Sequence, residues 1–178
     1  PIEYARIGHF ALFAARDKSH GCELWRSDGT TEGTVLVKDI QPNDGDSTPG
    51  VFCVAGNRAF FAATTADTGR ELWVSDGTPE GTHLVWDAKT GPDFGDPFSL
   101  CAVGPNLYYT SKSTKYGTEF FFTDGTPQGT HIVKDIGPGA DAGGEPYKTC
   151  LLDGILYFQA NDQVHGEELW RSDGTEAG

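Results

Sequence analysis

The side chains that can do chemistry are mostly acidic. Carboxylates collect in three Gly- and Pro-rich stretches: Pro42-Asn43-Asp44-Gly45-Asp46, Gly91-Pro92-Asp93-Phe94-Gly95-Asp96 and Pro138-Gly139-Ala140-Asp141. Carboxylates on flexible backbone suit Ca²⁺, a hard cation that takes about six to eight oxygen ligands. Asp44, Asp46, Asp93, Asp96 and Asp141 are therefore candidate calcium ligands. None of these stretches has the ligand order of an EF-hand or its distal Glu, so solvated turns are the alternative reading. A second set lies in short, variable segments that contain His20, Asp67, Tyr116 and His165. Such side chains can hydrogen-bond or stack on a sugar ring. Catalysis finds no comparable constellation. The histidines lack metal-protease spacing. The arginines, at 6, 16, 26, 58, 70 and 171, are scattered. A glycosidase needs two converging carboxylates, roughly 5–9.5 Å apart, and no motif here specifies convergence. The chain reads as non-catalytic, with a glycan-active enzyme as an alternative.

Charge narrows the partners. Twenty-six acidic residues face 13 basic ones, a formal net charge of −13. Phosphate backbones demand clustered Lys and Arg, so nucleic acid is excluded, and anionic membrane surfaces with it. No apolar run approaches the ~20 residues of a membrane-spanning helix. The first residues have neither a basic start nor an apolar stretch, and the chain contains no Met. It reads as a processed form or an excerpt of something longer.

The elements that must hold these residues repeat. Glu23-Leu24-Trp25-Arg26-Ser27-Asp28-Gly29-Thr30 recurs almost unchanged at Glu71 to Thr78 and at Glu168 to Thr175, and more loosely at Glu119 to Thr126. The leading glutamates are 48, 48 and 49 residues apart. A fixed period of this size marks a solenoid, a propeller or an array. Each period carries β-rich runs: Phe10 to Ala14, the Glu-Leu-Trp run, Val35 to Ile40 and Val51 to Ala55, with counterparts in later copies. β-Branched and aromatic residues dominate them, with Gly, Pro and Asp between. In Asp28-Gly29-Thr30-Thr31-Glu32-Gly33-Thr34 the Asp can accept from backbone N–H groups ahead of it, and both glycines can supply positive φ. Asp28, Asp76, Asp124 and Asp173 are thus expected to form turns. The prediction is an all-β fold, a β-propeller built from four-stranded blades of about 48 residues, with about 3.7 blades present. The repeats fall near 1–48, 49–96, 97–145 and an incomplete 146–178. A two-layer sandwich and a parallel β-helix are the alternatives.

The octad resembles the ELWxxDGT repeat family of secreted and surface proteins, and the resemblance covers essentially the whole chain. It extends to Gly33-Thr34-Val35-Leu36-Val37-Lys38-Asp39-Ile40. It implies a propeller and an extracellular or cell-surface setting, and it brings no catalytic residues. In the third copy Phe120-Phe121 replaces Leu-Trp, which keeps bulk and loses the indole donor. That identifies the Trp as packing. The Asp-Gly turn is also similar to the Asp-box hairpin of sialidase propellers, without that motif's residue between Asp and Gly.

Four cysteines, Cys22, Cys53, Cys101 and Cys150, allow two disulfides. Cys53, Cys101 and Cys150 occupy one repeat position, where the first copy has Ala5. A position that accepts Ala favours buried free thiols there, while a disulfide through Cys22 stays open. The expected function is adhesion or glycan binding through variable loops, with no cofactor beyond a possible Ca²⁺. Glycans or extracellular proteins are the expected partners. The alternative is a structural building block of a surface fibre that binds copies of itself.

Overall fold

The computed structural model describes residues 3–139 and 143–175. Their regular structure is all β, arranged as four separate antiparallel sheets. Sheet 1 holds β1 (Tyr4–Ile7), β2 (Phe10–Asp17), β3 (Gly21–Ser27) and β4 (Val35–Lys38). Sheet 2 holds β5 (Gly50–Ala55), β6 (Arg58–Thr65), β7 (Gly69–Ser75) and β8 (His83–Trp86). Sheet 3 holds β9 (Phe98–Val103), β10 (Asn106–Ser113), β11 (Gly117–Thr123) and β12 (His131–Lys134). Sheet 4 holds β13 (Tyr147–Leu152), β14 (Ile155–Asn161) and β15 (Glu167–Ser172). Each is a simple meander with sequential neighbours paired. The first strands of consecutive sheets, β1, β5, β9 and β13, lie beside one another in order. The described sheets do not close into a ring.

The core lies between sheets. Alternation along each strand sends one set of side chains forward and the other back. Leu12, Leu24 and Val37 of sheet 1 meet Ala59, Phe61, Ala63 and Trp73 of sheet 2. Phe60, Leu72, Val74 and Val85 then meet Leu107, Tyr109 and Phe121. Tyr108, Phe120 and Val133 meet Leu156, Phe158 and Ala160. Inner sheets are covered on both faces, so β6 and β10 are buried along nearly their whole length, β10 with Thr110 and Ser111 among its buried residues. The forward face of sheet 4 has no described neighbour: Leu169 is 79% exposed, where its repeat equivalents Leu24 and Leu72 are at 0% and 1%.

The third run of each repeat is shorter than its sequence predicts. Val35 to Ile40 is a strand only to Lys38, and His83 to Ala88 only to Trp86. The cause lies in the neighbouring strand. The Ile40 amide leaves the ladder and donates to the Glu23 carboxylate at 2.8 Å. A second departure from plain strands lies at the start of β5, β9 and β13. Val51, Ser99 and Lys148 sit at φ 56°, 50° and 53°, and the register of all three strands shifts there. For a β-branched residue such as Val51 this backbone is unusual, and nothing in the amino-acid pattern announces it.

Candidate functional site

The octad's Asp forms the expected turn. Asp28 Oδ1 accepts from the Thr30 amide at 2.9 Å and the Thr30 hydroxyl at 2.7 Å. Asp76, Asp124 and Asp173 repeat the pattern with Thr78, Thr126 and Thr175. The Thr hydroxyl, then the Thr amide, holds the Asp28 and Asp124 carboxyls below the ordinary range. Gly29 has positive φ, at 94°, as predicted; Gly33 does not. Gly33 is needed for space instead, because a Cβ there would overlap the Asp28 carboxylate. The turn also docks sheet on sheet: Arg26 donates to the Gly77 carbonyl at 2.9 Å, with its guanidinium over the Phe10 ring.

The octad's Glu has a role that sequence reading missed. Glu23, Glu71 and Glu119 are buried and clip the segment that runs to the next sheet. Glu23 accepts from the amides of Ile40, Gln41 and Ser47 and from the Ser47 hydroxyl. Glu71 accepts from Lys89 at 3.1 Å and Gly95 at 3.0 Å, and Glu119 from Ile136, Gly137 and Gly144. Burial pushes the Glu71 carboxyl up to about 8 against the pull of these amides, and burial raises Glu23 and Glu119 too. A Glu opening a strand normally reads as solvated. Its strict recurrence was the available signal.

The indole N–H groups of Trp25, Trp73 and Trp170 are buried with no hydrogen-bond partner among the described residues. All four cysteines are free thiols. Cys150 is exposed and the other three are half-buried, so the expected burial is only partial.

Among the described residues the candidate calcium ligands do not come together as a group of three. Asp46 pairs with Arg16 and accepts from the Cys22 amide. Asp96 faces Arg70 at 4.0 Å. Asp93 lines a cleft with Lys89 and Lys112, and Asp44 is exposed. Asp141 lies outside the described residues. Among the described residues one group of three metal-capable side chains comes together, at Asp162, His165 and Glu168. Glu168 holds the repeat position whose equivalents bind loop amides.

The candidate ligand-binding residues sit at hairpin tips, on the turn between the second and third strands of each sheet. His20 and His165 are each engaged by an Asp three residues back, Nδ1 to Oδ2 at 2.8 and 2.7 Å. The Asp hydrogen bond raises both histidines, and bonds from His165 lower Asp162 to about 2. Tyr116 turns inward onto the core between sheets 2 and 3, with Lys115 above its ring. Asp67 is exposed and lines a cleft.

That cleft lies between sheets 1 and 2. Ile40, Gln41, Pro42 and Asn43 form one wall, Thr65 to Thr68 the other, and Trp73 and Leu84 the floor. Its volume is about 490 Å³, within the roughly 300–1,000 Å³ range of small-ligand sites. Gln41 Oε1 accepts from the Ala66 amide at 2.8 Å and ties the walls together. The sequence marks Asp67 as a ligand-binding candidate and Pro42-Asn43 only as part of a calcium candidate stretch, and it does not bring the two together, because the opposite wall lies in the segment that leaves sheet 1.

Compared with protein-family models and with curated proteins, the chain matches none.

Proposed function

We propose that the chain is a non-catalytic, extracellular module that binds glycans through its variable loops. Its sheets are read as consecutive blades of a β-propeller of the ELWxxDGT type. The serial meanders and the side-by-side first strands support that architecture.

One observation carries the binding reading. The repeated residues are consumed internally, while the hairpin tips differ from copy to copy on a constant frame. Glu clips a loop, Asp and Thr close a turn, and the apolar pair packs between sheets. At the position before the pre-octad Gly, the copies carry His20, Thr68, Tyr116 and His165. Repeat folds present binding surfaces in this way. The test is retention of saccharides on an array by the intact chain. Retention of a defined set is expected, and no retention across neutral, acidic and amino sugars would overturn the reading.

A second reading, self-association into a surface assembly, is favoured by a different feature. Leu169 and Val164 of sheet 4 are each 79% exposed, and Leu169 holds a repeat position that earlier sheets bury. Sedimentation of a polymer that retains no saccharide would support it.

A further inference from the structure

We infer that the cleft between sheets 1 and 2 is the saccharide subsite and that it takes a neutral pyranose ring; this rests on the glycan-binding reading above. The cleft combines the two surfaces a sugar needs. Ile40, Trp73 and Leu84 offer an apolar floor to the C–H face of a ring. Asn43, Asp67 and the Thr hydroxyls offer donors and acceptors at the rim. Asp67 and Asn43 make no side-chain hydrogen bond with the described residues, so both are available to hydroxyls. Gln41 spends its oxygen on the Ala66 amide and keeps its NH₂ group. Thr65 and Thr68 bond each other at 2.8 Å, which fixes the second wall. The rim carries a carboxylate and no cation. With a net charge of −13, the field disfavours sialylated or sulfated rings.

The next repeat differs at this hairpin tip. Forty-eight residues after Thr68 comes Tyr116. Its ring packs against the core between sheets 2 and 3. The wall-to-wall contact persists there in altered form, with the Thr90 amide donating to the Thr114 hydroxyl at 3.0 Å. The same framework therefore carries an aromatic ring packed on the core at one hairpin tip and a threonine at the other. Among the lining positions that differ between the two joints, Thr68 against Tyr116 is a large change in side-chain size at the hairpin tip.

This makes a variant whose fold is already precedented within the chain. Thr68→Tyr places at this joint the ring that Tyr116 carries at the next, and it should narrow the cleft and leave the melting temperature unchanged. The saccharide retained on the array, titrated into ¹⁵N-labelled intact chain, should shift the Trp73 indole and the amides of Asn43 and Asp67. Thr68→Tyr should weaken binding at least about tenfold, or 1.4 kcal/mol, and Asp67→Ala should do likewise. If a saccharide is retained but both variants bind as the parent does, the cleft is not the subsite and the glycan-binding reading stands. If a sialylated or sulfated saccharide binds more tightly than its neutral parent, the ligand class assigned here is wrong. If no saccharide is retained at all, both readings fall together.

Discussion

Glu71→Ala is expected to cost about 3–5 kcal/mol of stability, the sum of unsatisfied buried amides and a cavity. Glu71 is 1% exposed, and its carboxyl group accepts from the Lys89 and Gly95 amides, which lie on either side of the loop entering sheet 3. Removing it strands those donors where water cannot replace them. For a chain of this size the melting temperature should fall by about 10 °C, and amide exchange should quicken first at Lys89 and Gly95. The same residue sets a pH dependence. Its folded pKa, about 8, lies above the ordinary 4.5, so the folded chain holds a proton that the unfolded chain releases. The stabilisation tied to that proton is complete below about 4.5 and is lost as pH rises through about 8. Glu23 and Glu119 are raised for the same reason and act in the same sense. The turn aspartates act oppositely. Asp28 and Asp124 are lowered, so their contribution is present above the ordinary Asp pKa and is lost in acid. Stability should therefore peak in mildly acidic solution. Glu71→Gln, neutral at every pH, should flatten the alkaline side of that curve. A slope in the Gln variant equal to the parent's would refute the protonated clip.

Gly69→Ala should be comparably damaging, by about 3 kcal/mol. Gly69 opens β7 at φ +65°, and a Cβ there would overlap the carbonyl oxygen of Asp93 and crowd the Phe94 ring. The left-handed backbone alone costs a non-glycine residue roughly 1–2 kcal/mol. The remainder comes from displacing the segment that Glu71 clips. Gly104 is the control. Its φ is +59°, yet a Cβ would meet nothing within 4 Å, so Gly104→Ala should lose only the backbone cost. Urea melts of the two variants separate the contributions. Equal losses would show that crowding at Gly69 contributes nothing.

How much of this was readable in advance differed by residue. The period and the strand runs were plain, because β-branched and aromatic residues alternate with Gly, Pro and Asp at fixed intervals. Asp28 was legible too, since an Asp ahead of Gly-Thr has local amides to accept from. Gly33 was misjudged: its need is room for a carboxylate five residues back, which local φ preferences do not reveal. The glutamate clip was hidden because its partners lie 17 to 24 residues downstream in Glu23's case, in a loop with no pattern of its own. The cleft was hidden for a similar reason. Gln41 and Ala66 belong to different repeats, and the meaning of Thr68 appears only when its joint is set beside that of Tyr116.

The central claim is a division of labour: the octad's Glu and Asp build the frame, and the hairpin-tip residue Asp67 contacts the ligand held over the floor that includes Trp73. The most direct measurement is melting temperature and saccharide retention on the same preparations of Asp67→Ala and Asp76→Ala. Asp67→Ala should keep the parent's melting temperature and lose retention. Asp76→Ala, which breaks the Thr78 turn, should lose about 1–2 kcal/mol of stability and keep retention below its melting transition. Loss of retention in folded Asp76→Ala, with retention intact in Asp67→Ala, would contradict the division.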